Sequence, residues 1–330
     1  MANEFNQFSA ISIDASRFDQ HVSLDALRWE HSVYLTSVPY GERKFLSWLL
    51  KQQLVNTGTA WAPDGRVRYR TRGCRMSGDM NTSMGNCLLM CGMVHAMMTR
   101  LGVRARLACN GDDCVIFVEK HHEGRVMAMI PDYFRNLGFT MKVEQPVHVI
   151  EHIDFCQTRP VCVAGEWRMV RNPRTALSKD LTLLQPGAQG RQVLAYSLWM
   201  SAVGKCGSSI SSGVPVFQSF YQWMVGGVTP TTTGNTWAQA APTRLRPGRG
   251  KQSATTQGFG VHGGLQYMSQ GMTAALLPIC PTTRLSFWLA WGITPDCQIE
   301  FERSVALTSR EVSCVGLISD REITGTLLFR

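Results

Sequence analysis

The chain has 330 residues, 44% of them hydrophobic and 17% charged, enough apolar material for one large or two ordinary cores, which excludes a short peptide scaffold and a disordered tail. Its 33 Lys and Arg against 24 Asp and Glu leave a formal charge of +9, pointing to a polyanionic partner such as nucleic acid or an anionic membrane. The 11 cysteines, from Cys74 to Cys314, show no Cys-x-x-Cys pair or framework spacing, so a reducing compartment is expected.

The N-terminal residues Met1 to Asn6 lack the basic and apolar regions of an export signal. Ala10 to Asp14 alternates as a short strand ending on an acid. After a polar turn at Ser16–Gln20, Leu24, Leu27, Tyr34, Leu35 and Val38 recur at helical spacing behind Ser23, so strand, acidic tip and helix follow in order. Pro39-Tyr40-Gly41 closes that helix, and a second periodic segment covers Phe45 to Leu54. Ala60 to Arg75 reads as hairpin and loop with five arginines and Asp64 as its only acid.

Ser77-Gly78-Asp79 then leads into a buried helix through Leu88, Leu89, Met93, Met97 and Leu101, ending at Gly102. Cys87 and Cys91, four apart in it, read as small buried side chains rather than metal ligands. The uncharged run 80–99 is broken by Asn81, Thr82, Ser83, Asn86 and His95, leaving it short of the ~20 apolar residues of a membrane span, so no transmembrane segment is expected.

Val103–Cys109 and Cys114–Glu119 are strand-like and joined by Asn110-Gly111-Asp112-Asp113, a strong hairpin signal. Arg125–Leu137 has a mixed pattern, Gly138–Val143 and Val147–Phe155 read as extended, and Leu181 onward reads as helical through Trp199. From Gly226 to Ala275 the chain is rich in Thr, Gly and Pro, contains no acid, and carries Arg244, Arg246, Arg249 and Lys251. This is a long basic loop inside a domain, since apolar patterning returns over Pro281–Glu302.

Asp112-Asp113 alone is ordinary turn chemistry, and Asp14 followed by Asp19 is equally weak alone. Two such strand ends side by side would gather three carboxylates at one sheet edge, where oxygen ligands can hold two divalent ions for in-line phosphoryl transfer. Crowded like charges repel, so that arrangement calls for cations. The segment from Ser77 to Asn86 has an ordinary reading as helix-start chemistry. The spacing of Ser77, Thr82 and Asn86 is nevertheless more particular than a cap requires.

Asp14-Ala-Ser-Arg-Phe-Asp19-Gln-His21, Ser77-Gly-Asp-Met-Asn-Thr82-Ser-Met-Gly-Asn86 and Asn110-Gly-Asp112-Asp113 resemble palm motifs A, B and C of the RNA-dependent RNA polymerases of positive-strand RNA viruses, most closely the tombusvirus family. Gly138–Lys142 is similar to motif D, and Asp154–Gln157 with Pro160 to motif E. Asn172–Asp180, Gly213–Val216 and Arg284–Asp296 resemble that family's thumb.

The resemblance implies an α+β right-hand polymerase. Residues 1–165 would form the palm, an antiparallel sheet with flanking helices and part of the fingers insertion, and residues 166–330 a mainly helical thumb holding the basic loop at about 226–275. It implies that Asp14, Asp112 and Asp113 hold two Mg2+ ions, with Mn2+ able to substitute, and that Lys142 protonates the leaving pyrophosphate. Asp19 and Asn86, helped by Ser77 and Thr82, would read the ribose 2′-hydroxyl, a group that both donates and accepts. Gly78 would let the loop flex. Cys156 and Gln157 would support the nascent strand, and Arg244, Arg246, Arg249 and Lys251 would contact RNA.

The implied partners are RNA template, nascent RNA and ribonucleoside triphosphates. Only 13 residues precede Asp14, so the fingers are expected from a truncated segment or a second viral chain. The expected location is the host cytoplasm, at membrane-associated replication complexes through partners.

Two other readings compete. His148-Val-Ile-Glu151-His152 spells the H-x-x-E-H of inverted zinc peptidases, but its β-branched residues behind Pro146 suit a strand rather than the helix that motif requires. A non-catalytic RNA-binding or replication-scaffold module would use Arg66–Arg75 and Arg244–Lys251 as its surface.

Overall fold

The alternation at the N-terminus forms β1 (Phe8–Ala15), an inner strand of the sheet that carries the first acid. The computed structural model describes residues 1–182, 192–226, 229–230, 276–308 and 311–312, and the basic residues Arg244, Arg246, Arg249 and Lys251 lie outside them. The chain divides into two units, Met1–Thr158 and Arg159–Arg330. It is a mixed helix and sheet protein whose main sheet is antiparallel.

In the first unit the short α1 (Phe18–His21) follows β1, and Ser23 caps α2 (Leu24–Ser37), its hydroxyl accepting from the Ala26 amide at 3.1 Å. An amphipathic α3 (Arg43–Lys51) leads into the hairpin of β2 (Val55–Ala62) and β3 (Gly65–Arg72). The long α4 (Thr82–Leu101) ends where Gly102 turns left-handed at φ 64°, letting the Val103 amide reach back to Met98 O at 3.1 Å. β4 (Arg106–Asn110) and β5 (Asp113–Glu119) form the acid-tipped hairpin, and β6 (Met141–Val143) follows α5 (Glu123–Asn136).

The strand order is β4-β5-β1-β6. The register pairs Ile11 with Ile116 and Ile13 with Cys114 on one side of β1, and Asp14 with Lys142 on the other. Strand alternation sends Ile11, Ile13, Ile116 and Val118 to a core built with Leu89, Met90, Val94 and Met97 of α4 and Val126, Ile130 and Phe134 of α5. Ala10, Val115 and Phe117 face the other way, onto Phe5 and Ile153.

In the second unit β7 (Thr158–Val163) and β8 (Glu166–Arg171) turn through Ala164 and Gly165, at φ 51° and 91°. Pro occupies the first position of each of α6 (Pro173–Lys179), α9 (Pro281–Trp291) and α10 (Pro295–Leu307), where a missing amide hydrogen costs nothing. Between them lie α7 (Gln192–Ile210) and α8 (Phe217–Val225). Their core gathers Trp199, Met200, Phe217, Phe220, Tyr221 and Phe287 around Val161 and Val163. Arg284 and Glu302 pair at 2.8 Å between α9 and α10.

Three local expectations are corrected. Residues 125–137, with their mixed pattern, form most of α5, because Val126, Ile130 and Phe134 bury one stripe and outweigh the backbone cost of Pro131. Residues 147–155 are not a strand: Val147 bridges Ala10, and Ile150–His152 is one 3-10 turn. His148 bonds Glu123 at 2.7 Å, and residues 148–152 offer no helix for a zinc motif. Residues 181 and 182 are not helical, and the described part of the following helix starts at Gln192.

Candidate active site

Asp14 sits at the C-terminal end of β1, and its register partner across β6 is Lys142. On the other side the ladder ends at Ile13–Cys114, so Asp14 and Asp113 come next to each other one step further, on the face shared by Ser12 and Val115. Asp112 occupies the two-residue turn between Asn110 and Asp113, where Gly111 takes φ 76°. Burial pushes the Asp113 carboxyl above its ordinary value, and the charges of Asp14 and then Asp112 push it further. Among the described residues none of these three acids forms an ion pair, and no trio of His, Cys, Asp or Glu converges at metal-binding distance.

A cavity of about 220 Å³ opens beside them, lined by Asp14, Asp113, Glu144, Asp154, Cys156 and Gln157 among others. Cys156 and Gln157 form a two-residue turn with φ 52° and 58°, closed by reciprocal bonds of 3.0 Å between Phe155 and Thr158. Two consecutive non-glycine residues in the left-handed region are costly, and here they hold the turn against the acidic hairpin. The Asn110 amide donates to Cys156 Sγ at 3.2 Å. Lys142 is largely exposed, and its Nζ contacts Glu144 at 3.2 Å.

From behind, α4 fixes the hairpin. The Gly111 amide donates to Cys87 Sγ at 3.0 Å, and a Cβ placed on Gly111 would meet Asn86 Cβ at 3.7 Å. The Asn86 amide donates to Asp19 Oδ1 at 2.7 Å, and the Ser77 hydroxyl donates to Asp19 Oδ2. Asp19 thus has both oxygens engaged, while Asn86 Oδ1 is buried with no partner among the described residues. Thr82 is not drawn into this cluster: its hydroxyl bonds Met76 O at 2.9 Å and closes the loop that contains Gly78. Gly78 is exposed, with open space where a side chain would begin.

Beneath the loop lies an ion pair that sequence reasoning missed. Arg75 and Glu30 are paired, with both side chains fully buried. Glu30 also accepts from Tyr34 at 2.7 Å and Asn81 at 3.0 Å, and the Arg75 amide donates to Asp19 O at 2.8 Å. The only trace in the sequence is an acid one turn beyond Leu27 on the apolar side of α2. Asp154 and Glu144, which line the cavity, were given no role at the site: Asp154 stands between Ile153 and Phe155 at the start of the stretch that resembles motif E, and Glu144 stands two residues beyond Lys142.

An antiparallel sheet with acids gathered at one edge, backed by a polar cluster at a helix start, is an arrangement suited to phosphoryl chemistry. Residues 1–313 match the family model of viral RNA dependent RNA polymerase, and the chain belongs to that family. It is 46% identical over 305 residues to the RNA-directed RNA polymerase of Tobacco necrosis virus (strain A), covering 92% of this chain and 38% of that protein. It is similarly 41% identical over 302 residues to that of Oat chlorotic stunt virus (isolate United Kingdom), covering 91% and 38%. With the RNA-directed RNA polymerase of Tomato bushy stunt virus (strain Cherry) it shares 40% over 301 residues, 91% of this chain and 33% of the relative. The tombusvirus-type resemblance is thereby shown, and the chain spans between 33% and 38% of these three relatives.

Proposed function

We propose that this chain is the catalytic portion of a polymerase that copies RNA from an RNA template by two-metal-ion nucleotidyl transfer. The observation that carries the reading is the gathering of Asp14, Asp112 and Asp113 at one sheet edge, set by the register of the first strand and the acidic hairpin; burial raises the Asp113 carboxyl, and the charges of Asp14 and Asp112 add to it. Hard carboxylate oxygens suit divalent magnesium or manganese, and Asp14, Asp112 and Asp113 would hold the ions once these draw the neighbouring carboxylates together. When bound, the ions would supply Lewis-acid stabilisation of the phosphoryl charge.

In the proposed step the 3′-hydroxyl of the growing RNA loses its proton to solvent, its oxygen bonds to the α-phosphorus of a ribonucleoside triphosphate, and the bond to pyrophosphate breaks. Lys142, across β6 from Asp14, gives its proton to the departing pyrophosphate. Asp19, held by Ser77 and Asn86, meets the ribose 2′-hydroxyl, and the unpartnered Oδ1 of Asn86 is an acceptor for that hydroxyl's hydrogen. Cys156 and Gln157 support the primer end, and Gly78 supplies loop freedom.

In this reading the first unit is the palm with part of the fingers insertion and the second the thumb, with the basic segment around Arg244–Lys251 touching RNA. The remaining fingers come from another part of the polymerase or from a second viral chain. The working location is the host cytoplasm, at replication complexes brought to membranes by partners; among the described residues no helix is long and apolar enough to cross a membrane.

The test is Asp112→Ala, assayed with the remaining polymerase segments supplied. Magnesium-dependent incorporation of ribonucleotides should vanish while RNA binding persists. Extension at the wild-type rate would remove Asp112 from the machinery. An unmodified chain that binds RNA but never extends it under those conditions would favour a non-catalytic scaffold.

A further inference from the structure

The hairpin of β2 and β3 projects four arginines from one face. Cross-strand partners share a face, and the register pairs Arg66 with Trp61, Arg68 with Thr59, Arg70 with Thr57 and Arg72 with Val55. All four arginines are exposed, and among the described residues none pairs with a carboxylate. Arg66 lies over the Trp61 ring at 5.7 Å, and Trp61 is 76% exposed. The opposite face is closed in part by Tyr69, which lies across Gly58. Arg75, the fifth arginine of this stretch, is not part of the surface, because it is buried against Glu30.

We propose that this face binds single-stranded RNA, with the arginines on successive phosphates and Trp61 stacked on an unpaired base. Alternate residues of a strand stand about 6.8 Å apart, a spacing comparable to that of neighbouring phosphates in an extended single strand. Guanidinium groups suit phosphate oxygens in geometry as well as charge. A stacking aromatic needs a base free of its partner, which selects single strands over duplex. The strand that bears the arginines continues within three residues to Arg75, whose amide holds the Asp19 carbonyl. RNA on this face is therefore led towards the Asp19 cluster. The inference concerns binding and stands whether or not the chain polymerises.

The experiment titrates the 330-residue chain with a fluorescent single-stranded oligoribonucleotide over a range of salt. Changing Arg66, Arg68, Arg70 and Arg72 together to Gln should weaken binding and lower the slope of log affinity against log salt by about 0.7 per arginine. The corresponding all-Lys variant should keep most of that slope. Trp61→Ala should weaken binding about five- to hundredfold with the slope unchanged. Thermal melting checks folding, and the milder pair Arg68→Gln with Arg70→Gln should lose half the slope difference if the larger variant is unstable.

An unchanged slope in folded Gln variants overturns the proposal, and Trp61→Ala binding as wild type removes the single-strand assignment. Duplex RNA and phosphatidylserine vesicles serve as competing probes. If either loses binding as much as the single strand does, the face is a general polyanion surface and the assignment fails.

Discussion

Asn86 Nδ2 stands 2.7 Å from Asp19 Oδ1, joining the start of α4 to the short helix after β1 across 67 positions of chain. Asn86 Oδ1 is buried with no partner among the described residues; in the proposed reading, a ribose 2′-hydroxyl entering beside Asp19 satisfies it. A deoxy substrate would leave it unpaired, at about 1–3 kcal/mol. Asn86→Ala should therefore lower the preference for ribo- over deoxyribonucleotides about five- to hundredfold. Single-nucleotide incorporation with matched triphosphates, the other polymerase segments supplied, measures it. Equal slowing of both substrates would leave Asn86 as a helix-start residue only.

Arg75→Met should destabilise the first unit by about 3–5 kcal/mol, because it leaves the Glu30 carboxylate buried without its cation. Pairing it with Glu30→Leu should recover much of that loss. Urea denaturation of the single and double variants reads both values. A single variant as stable as wild type would mean that the pair is wet and weak.

Gly85 faces the same ion pair. A methyl group there would come within 2.4 Å of Glu30 Oε1 and 2.6 Å of Arg75 Nη2. Ala is the better helix former by about 1 kcal/mol, but overpacking a rigid buried pair costs about 1–3 kcal/mol. Gly85→Ala should therefore destabilise, while Gly78→Ala, in open space, should change stability little. Thermal shifts of the two variants side by side decide it.

His31 is buried on α2, bonded to Gln53 at 3.2 Å, and burial holds its proton affinity below the ordinary histidine value. The unfolded chain then binds the proton more readily than the folded one. The stabilising contribution is complete above the unfolded value of about 6.5 and is lost as pH falls through it towards the folded value. Stability measured from pH 7 down to pH 5 should fall, and His31→Gln should flatten that portion of the profile. Parallel profiles would assign the acid sensitivity elsewhere.

Local signals made much of the first unit legible. Alternation marked β1, Ser23 marked the start of α2, Gly102 the end of α4, and Asn110-Gly111 the acidic hairpin. α5 escaped because Pro131 argues locally against a helix, and only packing of Val126, Ile130 and Phe134 overrules it. The β7–β8 turn escaped because Ala164-Gly165 is a weaker hairpin signal than Asn-Gly. At the site, Asp14, Asp19, Ser77, Asn86 and the two hairpin acids could be named from motifs. The resemblance groups Thr82 with the residues that read the hydroxyl, whereas its own hydroxyl bonds Met76 O. The Glu30–Arg75 pair joins residues 45 apart, and no local pattern announces such a contact.

The turn at Gly111-Asp112 is as short as a hairpin connection usually gets. One inserted residue there would slide β5 against β1, turning Ile116 and Val118 away from α4 and moving Asp113 to the opposite face. Genomes that copy with errors will produce such insertions, and this connection has no slack to absorb them. The Pro63-Asp64 turn of the arginine hairpin stands clear of the core and can lengthen freely. Length variation among descendants of this sequence should therefore accumulate at the second turn and be purged at the first.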